Sequence, residues 1–79
     1  MRVDKFLKNA RLIKRRTVGK AACDGGRISV NGKEAKPGTR LKVGDIITIA
    51  YGSGEQKVEV LSLQEHVTKD QATEIYREL

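Results

Sequence analysis

The sequence predicts a small α+β domain, in which two short helices pack on a small antiparallel sheet and a further helix ends the chain. Three observations support this class. Apolar residues recur at helical spacing before Arg27 and alternate after it, as in a half-buried strand. The dipeptide Asn31-Gly32 follows the first alternating run, and it is the strongest short signal of a β-hairpin. The chain has 79 residues, which suffice for one domain with a thin core.

Two short helices are predicted in the first part of the chain. Asp4 is expected to be the N-cap of the first helix, which covers residues 5–10 and places Phe6 and Leu7 on its apolar face. Thr17 is expected to cap the second helix. Gly25-Gly26 supplies the left-handed position that commonly ends a helix, so this helix is expected to stop there.

Extended segments and a last helix fill the rest of the chain. Strands are predicted at residues 28–30, 33–36, 46–51 and 58–60, with an extended segment at 40–43 and turns at 37–38, 44–45 and 52–54. Thr68 and Gln71 have the spacing of a capping box. The final helix is expected to bury one face, made of Ala72, Ile75, Tyr76 and Leu79. We therefore predict a compact domain over residues 1–63 and a helical extension over 64–79.

The charge distribution predicts an anionic partner. Lys and Arg number 16 against 10 acidic residues, which gives a net charge of +6. Residues 1–42 hold 13 basic and 3 acidic side chains, whereas residues 43–79 hold 3 and 7. A surface that serves solubility alone mixes the two signs. The basic excess in the first part therefore indicates a binding face for nucleic acid.

Candidates for catalysis or metal binding are few. Cys23 is the single cysteine, so it cannot form an internal disulfide, and no metal-ligand spacing includes it. His66, the only histidine, lies in a polar stretch and is expected to be an ordinary surface side chain. A phosphate-binding loop leads from a strand into a helix, and neither Gly25-Gly26 nor Gly52-Ser53-Gly54 is placed in this way. We expect no enzyme and no cofactor or metal. A thiol-dependent activity at Cys23, with Lys20 lowering its pKa, is the enzymatic alternative.

The same composition predicts the compartment. No apolar run approaches the ~20 residues that a membrane-spanning helix needs, and the N-terminal residues are too charged for the core of a signal peptide. A lone cysteine is typical of a reducing environment. We expect a cytoplasmic protein that does not bind membranes.

The segment from Arg11 to Lys20 is the strongest candidate site. Arg11, Lys14 and Arg15 are spaced i, i+3 and i+4, so on a helical corner they form one cationic stripe. Arg16 and Lys20 extend this stripe. The planar arginine fork matches phosphate oxygens with two parallel hydrogen bonds, which favours a phosphate-rich ligand.

The wider pattern favours folded RNA over other nucleic acids. Thr17 adds a hydroxyl at a helix start whose N–H groups favour phosphate, and Arg27 and Lys33, with Asn31, extend the basic surface onto the hairpin. No aromatic residue lies in the basic run, which argues against a base-stacking platform. No helix carries the polar set that reads a DNA major groove, so recognition of phosphates and shape is expected.

Three separated motifs resemble those of one domain family. They are RVDKFL at residues 2–7, RLIKRRT at 11–17 and GRISVNGK at 26–33. In combination they resemble the S-four RNA-binding domain, and VGDII at 43–47 is similar to its turn before a strand. The resemblance covers about residues 1–63 and implies the alpha-L RNA-binding fold.

Among proteins with this domain, the chain resembles the free-standing heat-shock fifteen-kilodalton family and, most closely, its RqcP branch, also called YabO. The final acidic residues, where heat-shock relatives carry a longer basic tail, favour that branch. The resemblance implies a monomer associated with the ribosome. Its implied partners are the rRNA of the large ribosomal subunit, a peptidyl-tRNA retained after ribosome splitting, and an RqcH-type factor that adds C-terminal alanine tails in ribosome-associated quality control. A generic ribosome assembly or recycling factor is the alternative.

The resemblance also implies which residues bind RNA. Those expected to contribute most are Arg2, Asp4, Arg11, Arg15 and Arg16, with support from Lys14, Thr17, Lys20 and Arg27. Asp4 cannot attract phosphate, so it is expected to cap a helix or to orient a nearby arginine.

Overall fold

Two helices followed by strands make up the chain, and the computed structural model describes all 79 residues. The helices are α1 (Val3–Asn9) and α2 (Arg16–Asp24). The strands are β1 (Ile28–Val30), β2 (Lys33–Glu34), β3 (Ile46–Tyr51), β4 (Gly54–Val60) and β5 (Tyr76–Glu78), with a 3-10 turn (Ala72–Glu74) before β5. The predicted α+β class is confirmed.

The five strands form one antiparallel sheet in the order β2-β1-β3-β4-β5. Asn31 and Gly32 connect β1 to β2 with φ angles of 53° and 82°. Two positive φ angles define the tight hairpin turn that Asn-Gly favours, so the predicted hairpin is confirmed. β2 is shorter than the predicted strand, and between it and β3 only Arg40 forms a bridge, to Arg2.

One hydrophobic cluster joins the helices to the sheet. Alternate residues of β3 and β4 are buried, as the alternating pattern predicts, and Phe6 and Leu7 of α1 are fully buried in the same cluster. The remaining members of this cluster come from both helices, β1, the connection before β3, and Ile75. Neither helix is long and apolar enough to cross a lipid bilayer.

Both helices start two residues earlier than predicted. Arg2 occupies the N-cap position of α1, and Arg15 occupies that of α2; no side chain caps either helix. The start of α1 is set by tertiary contacts, since the Val3 N–H donates to the Thr39 carbonyl oxygen at 2.9 Å. The predicted capping roles of Asp4 and Thr17 are therefore wrong.

The two helices end in the same way but with different residues. After α1 the Arg11 N–H donates to the Lys8 carbonyl and the Leu12 N–H to the Leu7 carbonyl, each at 3.0 Å. This pair of bonds defines a Schellman motif. Arg11 occupies its left-handed position with a φ of 57°, whereas Gly26 occupies the equivalent position after α2 with a φ of 74°. Glycine adopts this conformation without steric cost and arginine does not.

The predicted C-terminal helix is wrong. Thr68 and Gln71 do exchange the two hydrogen bonds of a capping box, each at 3.3 Å. However, only the short turn Ala72–Glu74 follows, and β5 then pairs with the open edge of β4. Ile75 is buried in the core between turn and strand. A helix of this length is marginal in isolation, so sheet pairing and the burial of Ile75 prevail.

Candidate nucleic-acid interface

Arg2, Asp4 and Arg16 form a group that we term the Asp4 cluster. The Asp4 side chain is only 4 % exposed, and its two carboxylate oxygens lie 3.3 Å from Arg2 Nη2 and 3.6 Å from Arg16 Nη2. The Lys5 N–H also donates to Asp4 Oδ1, at 2.8 Å. Both arginine side chains are about half exposed. One buried carboxylate therefore holds two outward-facing guanidinium groups, and the predicted orienting role of Asp4 agrees with this geometry.

Close packing of the two helices makes the Asp4 cluster possible. Gly19 of α2 is buried against α1, and a Cβ atom at this position would lie 3.6 Å from the Asp4 Cα and would collide with the Ile13 side chain. Gly19 lets α2 pack directly against the α1 backbone at Asp4, and an added Cβ would sit at ordinary contact distance from Asp4 and require the end of the Ile13 side chain to move. Arg16 thereby reaches a carboxylate that belongs to the other helix.

A second group, the Lys8 cluster, consists of Lys8, Arg11 and Lys14. These side chains line one cleft beside the end of α1. Residues 11–14 form turns and bends and are not helical, so the predicted helical stripe of Arg11, Lys14 and Arg15 is wrong. The backbone reverses after Arg11, and this reversal divides the basic run between the two clusters.

The other predicted residues lie outside both clusters. Arg15, Thr17 and Lys20 are exposed at the start and middle of α2. Arg27 follows the opposite end of α2 and lines a shallow hollow with Tyr51 of the β3–β4 hairpin. The structure thus brings together two sets of predicted residues and leaves Arg27 apart from them. The RNA-binding roles of these residues stay predictions.

Sequence reasoning did not select Lys8 or Gly19, and it overestimated Asn31. Lys8 precedes Arg11 by three positions, a spacing that could have placed it beside that residue. The Asn31 side chain accepts a hydrogen bond from the Ile46 N–H at 2.9 Å and donates to Asp45 at 3.1 Å. Asn31 therefore connects two turns of the sheet, which gives its side chain a structural role.

Cys23 does not have the environment of a nucleophile. Its side chain is buried in the core, and burial, aided by Asp4 and Asp24, raises the pKa of the thiol from 9.0 to about 11. Nucleophilic cysteines need the opposite shift, since the thiolate is the reactive form. The lowered pKa considered for the enzymatic alternative is thus contradicted, and His66 is exposed as expected.

The fold, together with the Asp4 cluster and the Lys8 cluster, defines a small binding domain with a cationic surface. Residues 1–47 match the S4 domain family, which is the S-four domain of the sequence analysis. The chain is 51% identical over 76 residues to the RQC P-site tRNA stabilizing factor of Listeria innocua, covering 96% of this chain and 83% of that protein. It is 46% identical over the same length to the protein of that name from Bacillus subtilis, of which it covers 88%.

A solved structure supports the same family assignment. The trimeric heat shock protein 15 of Vibrio cholerae superimposes with a TM-score of 0.92 at 30% identity, over all of this chain and 81% of that one. The chain therefore belongs to the S4 domain family. The predicted resemblance to heat-shock fifteen-kilodalton proteins and to their quality-control branch is confirmed.

Proposed function

We propose that this protein is a non-enzymatic RNA-binding factor of ribosome-associated quality control that stabilises tRNA on the large ribosomal subunit. The names of its full-length relatives, RQC P-site tRNA stabilizing factor, support this role. The S4 domain and the basic first half of the chain support RNA as the ligand. In this role the protein is cytoplasmic and bound to ribosomes.

The proposal extends to partners. The protein binds rRNA and peptidyl-tRNA together on an obstructed large subunit, and it supports an RqcH-type factor that adds alanine residues to the stalled chain. It acts as a monomer. It performs no bond chemistry and needs no cofactor, because holding the tRNA in position is sufficient for a partner to extend the peptide.

The Asp4 cluster is the observation that carries this proposal. Arg2 directly precedes α1 and Arg16 begins α2, yet one buried carboxylate pairs with both. Fixed arginine forks recognise a particular arrangement of phosphates, because little conformational freedom is lost on binding. Such an arrangement suits a folded RNA surface better than a flexible strand.

Cosedimentation with large ribosomal subunits tests the proposal. Arg2→Gln with Arg16→Gln removes two charges from the site, and Lys57→Gln with Lys69→Gln removes two charges from exposed positions outside both clusters. We expect the first variant to leave the subunits and to lose alanine tailing in cells, and the second to behave as wild type. Equal cosedimentation of both variants would reject the site.

Salt dependence and the choice of subunit provide two further measurements. If about five phosphates are contacted, a fourfold rise in salt weakens RNA binding on the order of 10²-fold. The generic assembly or recycling alternative predicts equal binding to empty subunits and to subunits that hold tRNA. We expect a preference for tRNA-loaded subunits, and the absence of any preference would favour the alternative.

A further inference from the structure

We propose that the cleft lined by the Lys8 cluster binds a ribose-phosphate unit of the RNA, and that residues 64–68 form one wall of this site. The inference rests on the proposed function, because its ligand belongs to the same RNA. It adds a second contact region, distinct from the Asp4 cluster, and it assigns a role to a segment that follows β4.

The size of the cleft limits what it can hold. Its volume is about 250 Å³, which is below the roughly 300–1,000 Å³ of pockets that enclose a drug-sized ligand or cofactor. A single sugar-phosphate unit matches such a space better than a whole nucleotide cofactor. The lining residues are Lys8, Asn9, Arg11, Ile13, Lys14 and Val67.

The chemistry of the lining matches a charged group attached to a sugar ring that presents carbon atoms on one face. Lys8, Arg11 and Lys14 are exposed, and none of them forms an ion pair with a carboxylate of the chain. Ile13 and Val67 pack against the core and therefore lie on the inward side. A phosphate at the cationic rim, with the carbon face of its ribose against the two aliphatic side chains, satisfies both parts.

The wall of the cleft is held in place before any ligand arrives. The Asn9 side-chain amide donates to the Gln64 and Glu65 carbonyl oxygens at 3.3 and 3.4 Å. Lys5 forms an ion pair with Glu65, which neutralises the nearest carboxylate of this wall. A preformed wall lowers the entropic cost of binding.

An adjoining hollow extends the site along the same wall. It shares Lys8, Asn9 and Val67 with the cleft and continues past His66 and Thr68. The imidazole and the hydroxyl can donate hydrogen bonds to the next phosphate of a strand. The two hollows together form a path for a sugar-phosphate backbone, which favours RNA over an isolated anion.

The conformation of Arg11 supports this assignment independently. Arginine at the left-handed position of a Schellman motif costs roughly 1 kcal/mol relative to glycine, and the equivalent position after α2 is Gly26. Backbone strain concentrates where a side chain is needed for function. Here the strained residue lines the cleft.

Binding of labelled tRNA by the full chain at a series of salt concentrations tests the inference. The variant Lys8→Gln with Lys14→Gln removes two cations from the cleft, and Lys57→Gln with Lys42→Gln removes the same charge from exposed positions that line neither hollow. Each lost phosphate contact lowers the slope of log K against log salt by about 0.7–0.9. Because the cleft holds one phosphate, we expect the cleft variant to lose about 0.7–0.9 in slope and to bind roughly fivefold more weakly at physiological salt, whereas the control keeps the wild-type slope.

Three results would overturn the inference, and they are distinguishable. Equal slopes for the two variants would reject the cleft while leaving the proposed function intact. If the wild type binds neither tRNA nor large subunits, both the cleft inference and the proposed function are rejected. If inorganic phosphate shifts the backbone amide resonances of the cleft in the wild type, but the cleft variant retains full tRNA affinity, the occupant is a free anion and not RNA.

Discussion

The two halves of the chain use charge in different ways. In residues 1–42 a single acid, Asp4, takes part in ion pairs within that half, and it lies buried beneath two arginines. In residues 43–79 two carboxylates form ion pairs between elements of the fold: Glu59 pairs with Arg77 across β4 and β5, and Glu65 pairs with Lys5 of the first half. The first half therefore presents cations to a ligand, and the second half supports their placement.

This difference separates residues that bind from residues that stabilise. Outside the wall formed by residues 64–68, removing a side chain from the second half should lower the free energy of unfolding and leave RNA affinity unchanged in the folded protein. Removing one from the basic half should change affinity, in some cases with an opposite change in stability. The following predictions test that separation, beginning with the largest expected effect.

Ile75→Ala should destabilise the protein by about 2–5 kcal/mol, because the side chain is almost fully buried in the core. Chemical denaturation measures this change, and Leu79→Ala, at an exposed position, provides a control with little effect. We expect tRNA affinity to be retained at temperatures where the variant is folded. Unchanged stability would mean that residues 1–63 fold without the last strand, as an independent domain.

Asp4→Asn should weaken RNA binding although it raises the net charge by one. The amide oxygen can still accept the hydrogen bond from the Lys5 N–H, so stability changes little, whereas Asp4→Ala loses this bond and costs about 1–3 kcal/mol. Both variants release Arg2 and Arg16 from their fixed positions. Titration of labelled tRNA measures the affinity, and tighter binding would show that net charge matters more than the orientation of the arginines.

Arg11→Gly should stabilise the fold by roughly 1 kcal/mol, because it removes the left-handed strain at a φ of 57°. The same change removes a cation from the Lys8 cluster, so tRNA affinity should fall. Arg11→Ala retains the strain and loses the charge, which separates the two effects. Thermal unfolding and tRNA titration of both variants provide the measurement. Loss of stability in the glycine variant would contradict the strain argument.

Acid should loosen the wall formed by residues 64–68. The hydrogen bond and charge of Lys5 lower the pKa of Glu65 below its ordinary 4.5, so the stabilisation by this pair is present above pH 4.5. It is lost as the pH falls through the lowered value and the carboxylate is protonated. Carboxyl resonances in an NMR titration report this pKa, and Lys5→Met should return it toward 4.5. An unchanged pKa in that variant would contradict the contact.

The sequence was informative where local signals agree with tertiary structure. Asn31-Gly32, Gly26 and the alternating residues of β3 and β4 act through backbone geometry and burial, and their predicted roles are confirmed. The C-terminal helix was wrong because the capping box of Thr68 and Gln71 is a local signal, whereas the pairing of β5 with β4 is not. Residues distant along the chain supply that competing interaction.

For the site, the sequence indicated the basic residues but not their grouping. Spacing placed Arg11 and Arg15 on one helical face, and only the left-handed turn at Arg11 assigns them to different places. The approach of Arg16 to Asp4 depends on how α2 packs against α1, a tertiary effect that no spacing rule contains. The charge of the face was therefore predictable, whereas its division into two clusters was not.

The hydrogen bonds made by the Asn31 side chain also affect how readily this residue deamidates. An Asn-Gly sequence deamidates when the glycine nitrogen attacks the asparagine side-chain carbonyl, and the fold holds that carbonyl against the Ile46 N–H. Loss of the amide nitrogen would place a second carboxylate beside Asp45, where a donor now stands. Deamidation of Asn31 should therefore occur mainly in unfolded molecules. The storage lifetime of the protein then depends on its conformational stability.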